Sequence, residues 1–341
     1  MRFLCFGMGA IGTYIGGSLA SAGNDVTFLE RSVDKGTHDL HLEFKDRTID
    51  LRAVKAASTL QAALEMGPFD AAILAVKSFD TPGVLAEIEP LVQGFPPILC
   101  LQNGVENEDL IAGVLGQDRI IGGSVTSAVR RTGVGSAVVE RSRGIGIEGR
   151  HPLSNELICK FNEAGLNARG YPDRASLKWS KMLTNLQANA LCAILNWTPY
   201  QVFSSPASYA IECAEIGEAV DVMKAQDIQM VDLPGTPVKA WVTAMTRWPE
   251  WLSRPVIARV MGAARGRKLP SFHIDLYAGR KQSEVIFLNG AVVRAAEKAG
   301  LPAPVNQVLT EILTGMAQGT IPFDQYNNQP MKIRQHLLEL L

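Results

Sequence analysis

Cysteine is scarce and dispersed in this sequence. The five cysteines stand far apart, at positions 5, 100, 159, 192 and 213, and none belongs to a Cys-x-x-Cys pair. Disulfide frameworks and zinc sites need paired or clustered cysteines, so this distribution argues against both. We therefore expect no metal centre, and a reducing compartment, the cytoplasm, as the location of the protein.

Long apolar runs and an excess of one charge are also lacking. No uncharged stretch reaches the roughly 18 apolar residues that a membrane-spanning helix needs. The chain begins with a short strand-like run, RFLCF, which reaches a glycine turn by Gly7. A signal peptide has a longer apolar region and a cleavage site, so we expect none here. Its 33 basic and 34 acidic residues leave a formal net charge of −1. Such a chain has no field that attracts nucleic acid or an anionic membrane, so we expect a small-molecule partner.

The sequence does contain a regular alternation of short apolar runs and helical patterns. Its 341 residues suffice for two domains at about 100–200 residues each. The alternation in the first half predicts an α/β domain, with an N-terminal Rossmann-type parallel sheet and helices on both faces. The predicted strands are 2–6, 26–29, 49–54, 70–76, 97–101, 120–124, 135–140 and 144–147.

Helical patterns dominate the second half of the chain. They cover about 175–196, 205–226, 237–264 and 284–299. We therefore predict a Rossmann domain over residues 1–170 and an all-helical C-terminal domain over 171–341.

A glycine-rich turn, GMGAIG, joins the first predicted strand to the first predicted helix. In this context the pattern favours a dinucleotide-binding fingerprint over a plain glycine-rich turn. Gly7 allows a tight turn, Gly9 lets the backbone approach a pyrophosphate, and Gly12 allows the helix to pack closely on the strand. Phosphates are attracted to the N–H groups at a helix start. We expect the whole turn to bind the cofactor: Gly7, Met8, Gly9, Ala10, Ile11 and Gly12.

The end of the second predicted strand carries two opposite charges. Glu30 and Arg31 are adjacent, and Ser32 follows. An acidic residue here would bind the ribose 2′-hydroxyl of NADH, whereas an arginine would bind the 2′-phosphate of NADPH. Because Arg31 and Ser32 together suit a phosphate, the sequence favours NADPH, and Glu30 keeps NADH as the alternative.

A polar stripe interrupts the apolar helix pattern near residue 181. Lys181, Asn185 and Asn189 recur every four residues, so in a continuous helix they share one face. Asparagine is disfavoured inside helices, and polar groups on a buried helix need partners. A polar ligand would supply those partners, and a solvent-facing stripe is the alternative.

Two further polar groups directly follow predicted strands. Lys77 and Ser78 come after the strand 70–76, and Gln102 and Asn103 come after the strand 97–101. Ligands of open α/β sheets lie beyond the carboxyl ends of the strands, so we expect these residues on the cofactor side.

Taken together, these motifs resemble the ketopantoate reductase family over roughly residues 1–315. The similarity lies in GMGAIG at 7–12, AVKSFD at 75–80, LQNGV at 101–105, KMLTNLQAN at 181–189, PSFHID at 270–275 and SEVIFLNGAVV at 283–293. The resemblance implies an oxidoreductase that reduces 2-dehydropantoate to pantoate with NADPH, in pantothenate biosynthesis. It also implies a Rossmann domain followed by a helical domain.

The resemblance assigns roles to single residues of this chain. It makes Lys181 the general acid and gives Glu284 a catalytic role near the nicotinamide ribose, where it also contacts the cofactor. The remaining implied roles are 2′-phosphate binding for Arg31, cofactor binding for Lys77, cofactor and substrate binding for Asn103, and substrate binding for Asn185, Asn189 and Ser271.

Two other functions stay open on the sequence alone. One is an NAD(P)H-dependent reductase of a different 2-oxo acid, because the segment 230–268 is long and carries Trp241, Trp248 and Trp251. We expect these tryptophans to serve the core or a subunit contact. The other is a dinucleotide-binding sensor without catalysis. A homodimer formed through the helical domain is a further expectation.

Overall fold

The computed structural model describes residues 1–32, 36–265 and 269–340, without the side chains of 262–265 and 340. The chain divides into two compact units. The first unit comprises Met1–Lys178 together with Leu233–Thr236, and the second comprises Trp179–Asp232 together with Pro237–Leu341. The first unit thus runs beyond residue 170, because the start of the next helix, through Lys178, packs with the sheet domain.

Within the described residues, the first unit contains one sheet of eleven strands. The strands are β1 (Arg2–Phe6), β2 (Asp25–Leu29), β3 (Gly36–Glu43), β4 (Thr48–Ala57), β5 (Ala71–Leu74), β6 (Ile98–Cys100), β7 (Ile120–Val125), β8 (Ala128–Gly133), β9 (Ser136–Arg141), β10 (Ile145–Glu148) and β11 (Ala168–Tyr171). Their order is β11-β10-β7-β6-β5-β1-β2-β4-β3-β9-β8. The six strands from β7 to β4 are parallel to one another.

The middle of the sheet is parallel, as predicted, and antiparallel pairs outside it make the whole sheet mixed. Strand β3 pairs antiparallel with β4, β8 with β9, and β10 with β7. The links between β3 and β4 and between β8 and β9 are too short for the crossover that a parallel pair needs, so each pair forms a hairpin. Strand β3 escaped prediction because it alternates exposed polar residues with only two buried leucines, Leu40 and Leu42.

Helices cover both faces of the sheet, as predicted. One face carries α1 (Ala10–Ser21) and α5 (Ser154–Glu163), and the other carries α2 (Leu60–Leu64), α3 (Thr81–Ile88) and α4 (Asn107–Leu115). Successive residues of a strand point to opposite faces. In β1, Phe3 and Cys5 therefore join one apolar cluster, and Leu4 and Phe6 join the other. This central strand is buried on both faces, which explains its continuous apolar sequence.

The second unit is helical, which confirms the predicted fold class. Its chain begins within helix α6 (Arg174–Leu186). The further helices are α7 (Asn189–Leu195), α8 (Pro199–Ser204), α9 (Pro206–Ala225), α10 (Val238–Arg247), α11 (Glu250–Arg265), α12 (Ser271–Tyr277), α13 (Asn289–Lys298), α14 (Pro304–Gln318) and α15 (Pro330–Leu340). The long helix α9 packs against α8, α10, α13, α14 and α15.

The predicted helix over 175–196 is two helices, α6 and α7, separated by a break. Ala188 has a φ of +53°, in the left-handed region, where a helix cannot continue. Its backbone N–H donates to the Glu212 carboxylate at 2.8 Å, which satisfies the amide that the break leaves open. The prediction that Lys181, Asn185 and Asn189 share one face of a continuous helix is therefore wrong, since Asn189 starts α7.

The three tryptophans of the segment 230–268 differ in exposure. Trp241 is buried, whereas Trp248 and Trp251 are exposed. The last three residues of that segment, 266–268, lie outside the described residues. Among the helices that the structure describes, none combines the length and apolar character needed to cross a membrane.

Candidate functional site

The glycine turn sits between β1 and α1, and its glycines have different reasons to be glycine. Gly7 has a φ of +89°. A Cβ on Gly12 would lie 2.0 Å from the carbonyl oxygen of Gly7, so no side chain fits between helix and strand. A Cβ on Gly9 would meet no atom within 4 Å. The space at Gly9 lies beside the first-turn amides of α1, which have no acceptor inside the helix, and this fits the pyrophosphate of a dinucleotide.

The carboxylate of Glu30 closes the turn from the end of β2. The backbone N–H of Met8 donates to Oε2 of Glu30 at 2.9 Å, and the hydroxyl of Ser32 donates to Oε1 at 2.7 Å. Burial by itself would raise the pKa of Glu30. The hydrogen bonds from Met8 and Ser32 outweigh it and, with the charge of Arg131, hold the pKa below the ordinary value. Glu30 is thus an anion at neutral pH, and the Met8 amide is already bonded to it.

Arg31, which the sequence assigns to a 2′-phosphate, points to a different partner. Its guanidinium forms an ion pair with Glu87 of α3, and its side chain is 70% exposed. A cavity of about 220 Å³ lies beside the turn. Its lining residues are Phe6, Gly7, Leu29, Glu30, Arg31, Val76, Asp80, Val84 and Glu87.

A buried polar network joins the loops that follow β5 and β6. The side-chain amide of Gln102 donates to Val76 O and to the Thr81 hydroxyl, at 3.0 and 2.9 Å. In the same network, Ser78 Oγ donates to Asn103 O at 3.1 Å. The Gln102 amide also donates to Lys77 O at 3.3 Å, so the network links the backbones of the two loops that carry Lys77 and Asn103, where the parallel strands β5 and β6 end.

A buried ion pair, which sequence reasoning missed, supports the same loop from behind. Lys178 of α6 lies 2.8 Å from Glu108 of α4, with both side chains almost fully buried. The ammonium also donates to Gln102 O. Burial would lower the pKa of Lys178, but the attraction of Glu108 raises it above its ordinary value. Lysine at this position therefore carries its charge in the fold.

In the second unit, hydrogen bonds connect two of the predicted substrate residues to each other and to the neighbour of a third. The side chain of Asn189 donates to Asn185 O at 3.0 Å and accepts from the backbone N–H of Phe272 at 3.1 Å. Phe272 directly follows Ser271, which starts α12. Lys181 lies one turn before Asn185 on α6, half-buried. The break at Ala188 thus brings Asn185, Asn189 and Ser271 to one place, although they do not share a helix.

Behind this break lies a group of buried carboxyl and amide side chains that the sequence analysis did not single out. Glu212 accepts from Ala188 N, and Glu215 accepts from the Asn289 amide at 2.6 Å. Burial raises the pKa of Glu215 well above its ordinary value, and the Glu212 carboxylate raises it further. The available signal was the spacing of Glu212, Glu215 and Glu218 at every third residue of α9, which places them near one another on the helix.

Glu284 begins a 3₁₀ turn, Glu284–Phe287, and is half-buried; the turn and α13 replace the single helix predicted over 284–299. Among the described residues, no group of three or more His, Cys, Asp or Glu side chains could hold a metal ion.

Comparison with known protein families agrees with the motifs. The N-terminal model of the ketopantoate reductase PanE/ApbA family matches residues 3–148, and the C-terminal model of that family matches residues 173–317. A 2-dehydropantoate 2-reductase of Pyrococcus horikoshii is 28% identical over 317 residues, covering 91% of this chain and 95% of that protein. A 2-dehydropantoate 2-reductase of Streptococcus pyogenes is 25% identical, covering 90% of this chain and 95% of that protein.

Solved structures share the fold over nearly the whole chain. A PanE/ApbA family ketopantoate reductase from Ralstonia eutropha superposes with a TM-score of 0.75 at 26% identity, covering 94% of this chain and 99% of that one. D-mandelate dehydrogenase, solved with NADH and anilino(oxo)acetate, gives a TM-score of 0.73 at 21% identity, covering 94% and 99%. The latter similarity concerns the fold alone.

Proposed function

Since the chain belongs to the ketopantoate reductase family, and is an oxidoreductase of that type, we propose that it reduces a 2-oxo acid with NAD(P)H. The first candidate reaction is reduction of 2-dehydropantoate to pantoate, as in the relatives that carry that name. The observation that carries the proposal is the polar group of the second unit. It combines Lys181 with Asn185, Asn189 and Ser271, which the turn of the chain at Ala188 and the start of α12 bring together.

The residue types of this polar group suit a 2-oxo carboxylate. Amide and hydroxyl groups, as in Asn185 and Ser271, hydrogen-bond to carboxylate and carbonyl oxygens. A lysine ammonium adds positive charge where the carbonyl oxygen becomes negative. Lys77 and Asn103 are held together at the carboxyl edge of the sheet in the first unit, which suits contacts with the cofactor.

The proposed mechanism needs one hydride and one proton. Bound NAD(P)H would supply the hydride, whose electron pair forms the new C–H bond at the carbonyl carbon. The electrons of the carbonyl π bond move to the oxygen. Lys181 stabilises this oxygen and donates a proton to it, which gives the hydroxyl, and bulk water later restores the ammonium. In this proposal, Asn185, Asn189 and Ser271 bind the 2-oxo acid substrate and keep it in place during the reaction.

A panel of 2-oxo acids tests the proposal directly. We expect 2-dehydropantoate to oxidise NADPH or NADH faster than pyruvate, 2-oxoisovalerate or phenylglyoxylate, measured by the loss of nicotinamide absorbance. Faster turnover of another acid would identify a reductase of that acid instead. If no acid is reduced although the cofactor binds, the protein is a dinucleotide sensor and the proposed reaction is wrong.

The role of Lys181 has its own test. Lys181→Ala is expected to lower kcat by roughly 100- to 10,000-fold, the usual size of general acid catalysis, while the Kd of the cofactor changes little. Lys224→Ala removes an exposed lysine of the same unit, paired with Asp221, and serves as the control. Unchanged turnover of Lys181→Ala would exclude the lysine as the proton donor.

We also propose that a second copy of the chain covers part of the helical unit. Tyr200, Trp251, Val256 and Val260 are exposed apolar side chains, and all four line one surface cavity beside α11. A contiguous exposed apolar surface commonly marks a protein contact. Sedimentation should show a dimer for the wild type and a monomer for Trp251→Glu. A monomeric wild type would contradict this.

A further inference from the structure

We propose that the cofactor cavity of the first unit selects NADH over NADPH, and that Glu30 is the residue that determines this preference. The inference rests on the proposed function, since it presumes that a dinucleotide binds at the glycine turn. The sequence alone favours NADPH because of Arg31, whereas the structure favours the alternative, NADH.

The Glu30 carboxylate is held beside the glycine turn. The residue ends β2, its backbone N–H donates to Ala57 O at 2.9 Å, and its carboxylate accepts from Met8 N inside the glycine turn. In a Rossmann-type fold, the ribose next to the adenine lies at the end of the second strand, beside this turn. A carboxylate there accepts hydrogen bonds from the ribose 2′- and 3′-hydroxyls, which NADH offers. NADPH carries a phosphate in place of the 2′-hydroxyl.

The Glu30 side chain cannot move away from this position without losing hydrogen bonds. Moving its side chain away would break the bonds from the Met8 amide and from the Ser32 hydroxyl, at 2.9 and 2.7 Å. It would also leave the Met8 N–H without this acceptor. A 2′-phosphate would therefore meet a fixed carboxylate, and two anions at short distance repel strongly where they are partly shielded from water.

The cations that could offset the charge of a 2′-phosphate already have anionic neighbours. Arg31 lines the cavity, but its guanidinium is engaged by Glu87, and Asp80 lines the same cavity. Arg131 lies close enough to act on the charge of Glu30. Three carboxylates and one guanidinium group thus line the cavity, and both Arg31 and Arg131 have an anionic neighbour before any cofactor arrives. This balance suits a neutral hydroxyl better than a doubly charged phosphate.

Direct binding measurements test the preference on the full chain. Titration of the wild-type protein with NADH and with NADPH, followed by calorimetry, is expected to give a Kd at least about 10-fold lower for NADH. Glu30→Gln keeps an oxygen that accepts from Met8 and removes the negative charge. This variant is expected to bind NADPH at least about 10-fold more tightly than the wild type does, and to bind NADH slightly more weakly.

Two comparisons separate local repulsion from other causes. Glu156→Gln removes one negative charge at an exposed position of α5 and should leave both Kd values unchanged. Glu87→Gln releases Arg31 and should improve NADPH binding alone. Thermal unfolding of each variant checks that the fold is retained.

The outcomes distinguish the inference from the proposed function. Tighter binding of NADPH by the wild type, or an unchanged NADPH affinity in folded Glu30→Gln, would overturn the preference and leave the reductase proposal intact. If neither cofactor binds the wild type, both the inference and the proposed function fail. A wild-type preference for NADH that Glu30→Gln abolishes would support both.

Discussion

The ammonium of Lys178 and the carboxylate of Glu108 form an ion pair of 2.8 Å in the interior of the first unit. Neither side chain is more than 3% exposed. The pair connects the beginning of α6 to α4, and through Gln102 O it also fixes the loop that carries Asn103. Because Lys178 holds the backbone of Gln102, this buried ion pair helps to determine the position of the neighbouring Asn103.

Removing one partner of this pair should be strongly destabilising. Lys178→Met leaves the Glu108 charge buried without its partner, and such changes cost about 3–5 kcal/mol in the free energy of unfolding. Urea denaturation would measure the loss. Lys160→Met, which breaks the more exposed pair with Glu163, should cost far less stability. The double variant Lys178→Met/Glu108→Leu should recover most of the lost stability; a cost equal to that of Lys178→Met alone would contradict this account.

The two glycines at the start of α1 should respond differently to the same substitution. Gly12→Ala places a Cβ 2.0 Å from Gly7 O, so the variant should lose at least about 1–3 kcal/mol of stability. Gly9→Ala meets no protein atom within 4 Å and should fold with nearly normal stability, but it fills the space proposed for the pyrophosphate. We expect its Kd for the cofactor to rise at least about 10-fold.

The control for this comparison is Gly83→Ala in α3, where a Cβ also meets open space. It should leave cofactor binding unchanged. Wild-type affinity in Gly9→Ala would show that the dinucleotide does not approach the turn as proposed.

The stability of the second unit should fall as the pH rises above the ordinary pKa of a glutamate. Glu215 has a raised pKa in the fold, so it stays protonated at a pH where the unfolded chain has already released the proton. The fold then binds more protons, and the free energy of unfolding decreases by up to about 1.4 kcal/mol per pH unit. The stabilisation by protonated Glu215 is complete at a pH below the pKa of this residue in the unfolded chain. It is lost as the pH rises through the pKa of this residue in the fold.

Glu215→Gln should flatten this pH dependence, because its amide does not titrate. Unfolding midpoints in urea at several pH values would measure the slope for both proteins. Glu218, whose pKa burial also raises, remains in the variant and should leave a weaker slope of the same sign. The exposed Glu156→Gln should not change the slope. A variant with the full wild-type slope would exclude Glu215 as its source.

Local patterns were sufficient to predict the elements around the glycine turn. Strand β1, helix α1 and strand β2 follow from short apolar runs, three glycines and a polar turn, all within thirty residues. The sequence did not reveal β8, β11 or α5. Strand β8 has three exposed residues in AVRRTG, and β11 has only four residues, ARGY, so neither gives a clear alternation.

The parts of the candidate site that escaped prediction depend on contacts between distant residues. The break at Ala188 needs Glu212, 24 residues later, to accept its N–H. The ion pair of Lys178 with Glu108 joins two helices that are distant in the sequence. A lysine in a helical pattern is normally expected to be exposed to solvent, so its burial could not be predicted from the sequence. The direction of Arg31 depends on Glu87 of α3. Residue types predicted the chemistry, whereas the partners of each side chain required the fold.

Asn189 offers a test of whether a predicted substrate residue acts directly or by holding others. Its amide group is used twice inside the protein, toward Asn185 O and from Phe272 N. Asn189→Ala leaves both buried backbone groups without this partner, and each such group costs about 1–3 kcal/mol. Because Phe272 adjoins Ser271, the variant should also raise KM for the oxo acid. The Kd of the cofactor should stay unchanged, since the glycine turn belongs to the other unit.

A second asparagine of the chain provides the matched control. Asn162 makes the same pair of bonds, donating to Ala168 O at 3.1 Å and accepting from Ala168 N at 2.7 Å, in the first unit. Asn162→Ala should lose some stability without changing KM. If Asn189→Ala shows the same loss of stability and an unchanged KM, the asparagine serves the fold alone. A higher KM that is confined to Asn189→Ala would instead mean that the contact between α7 and the start of α12 sets the substrate affinity.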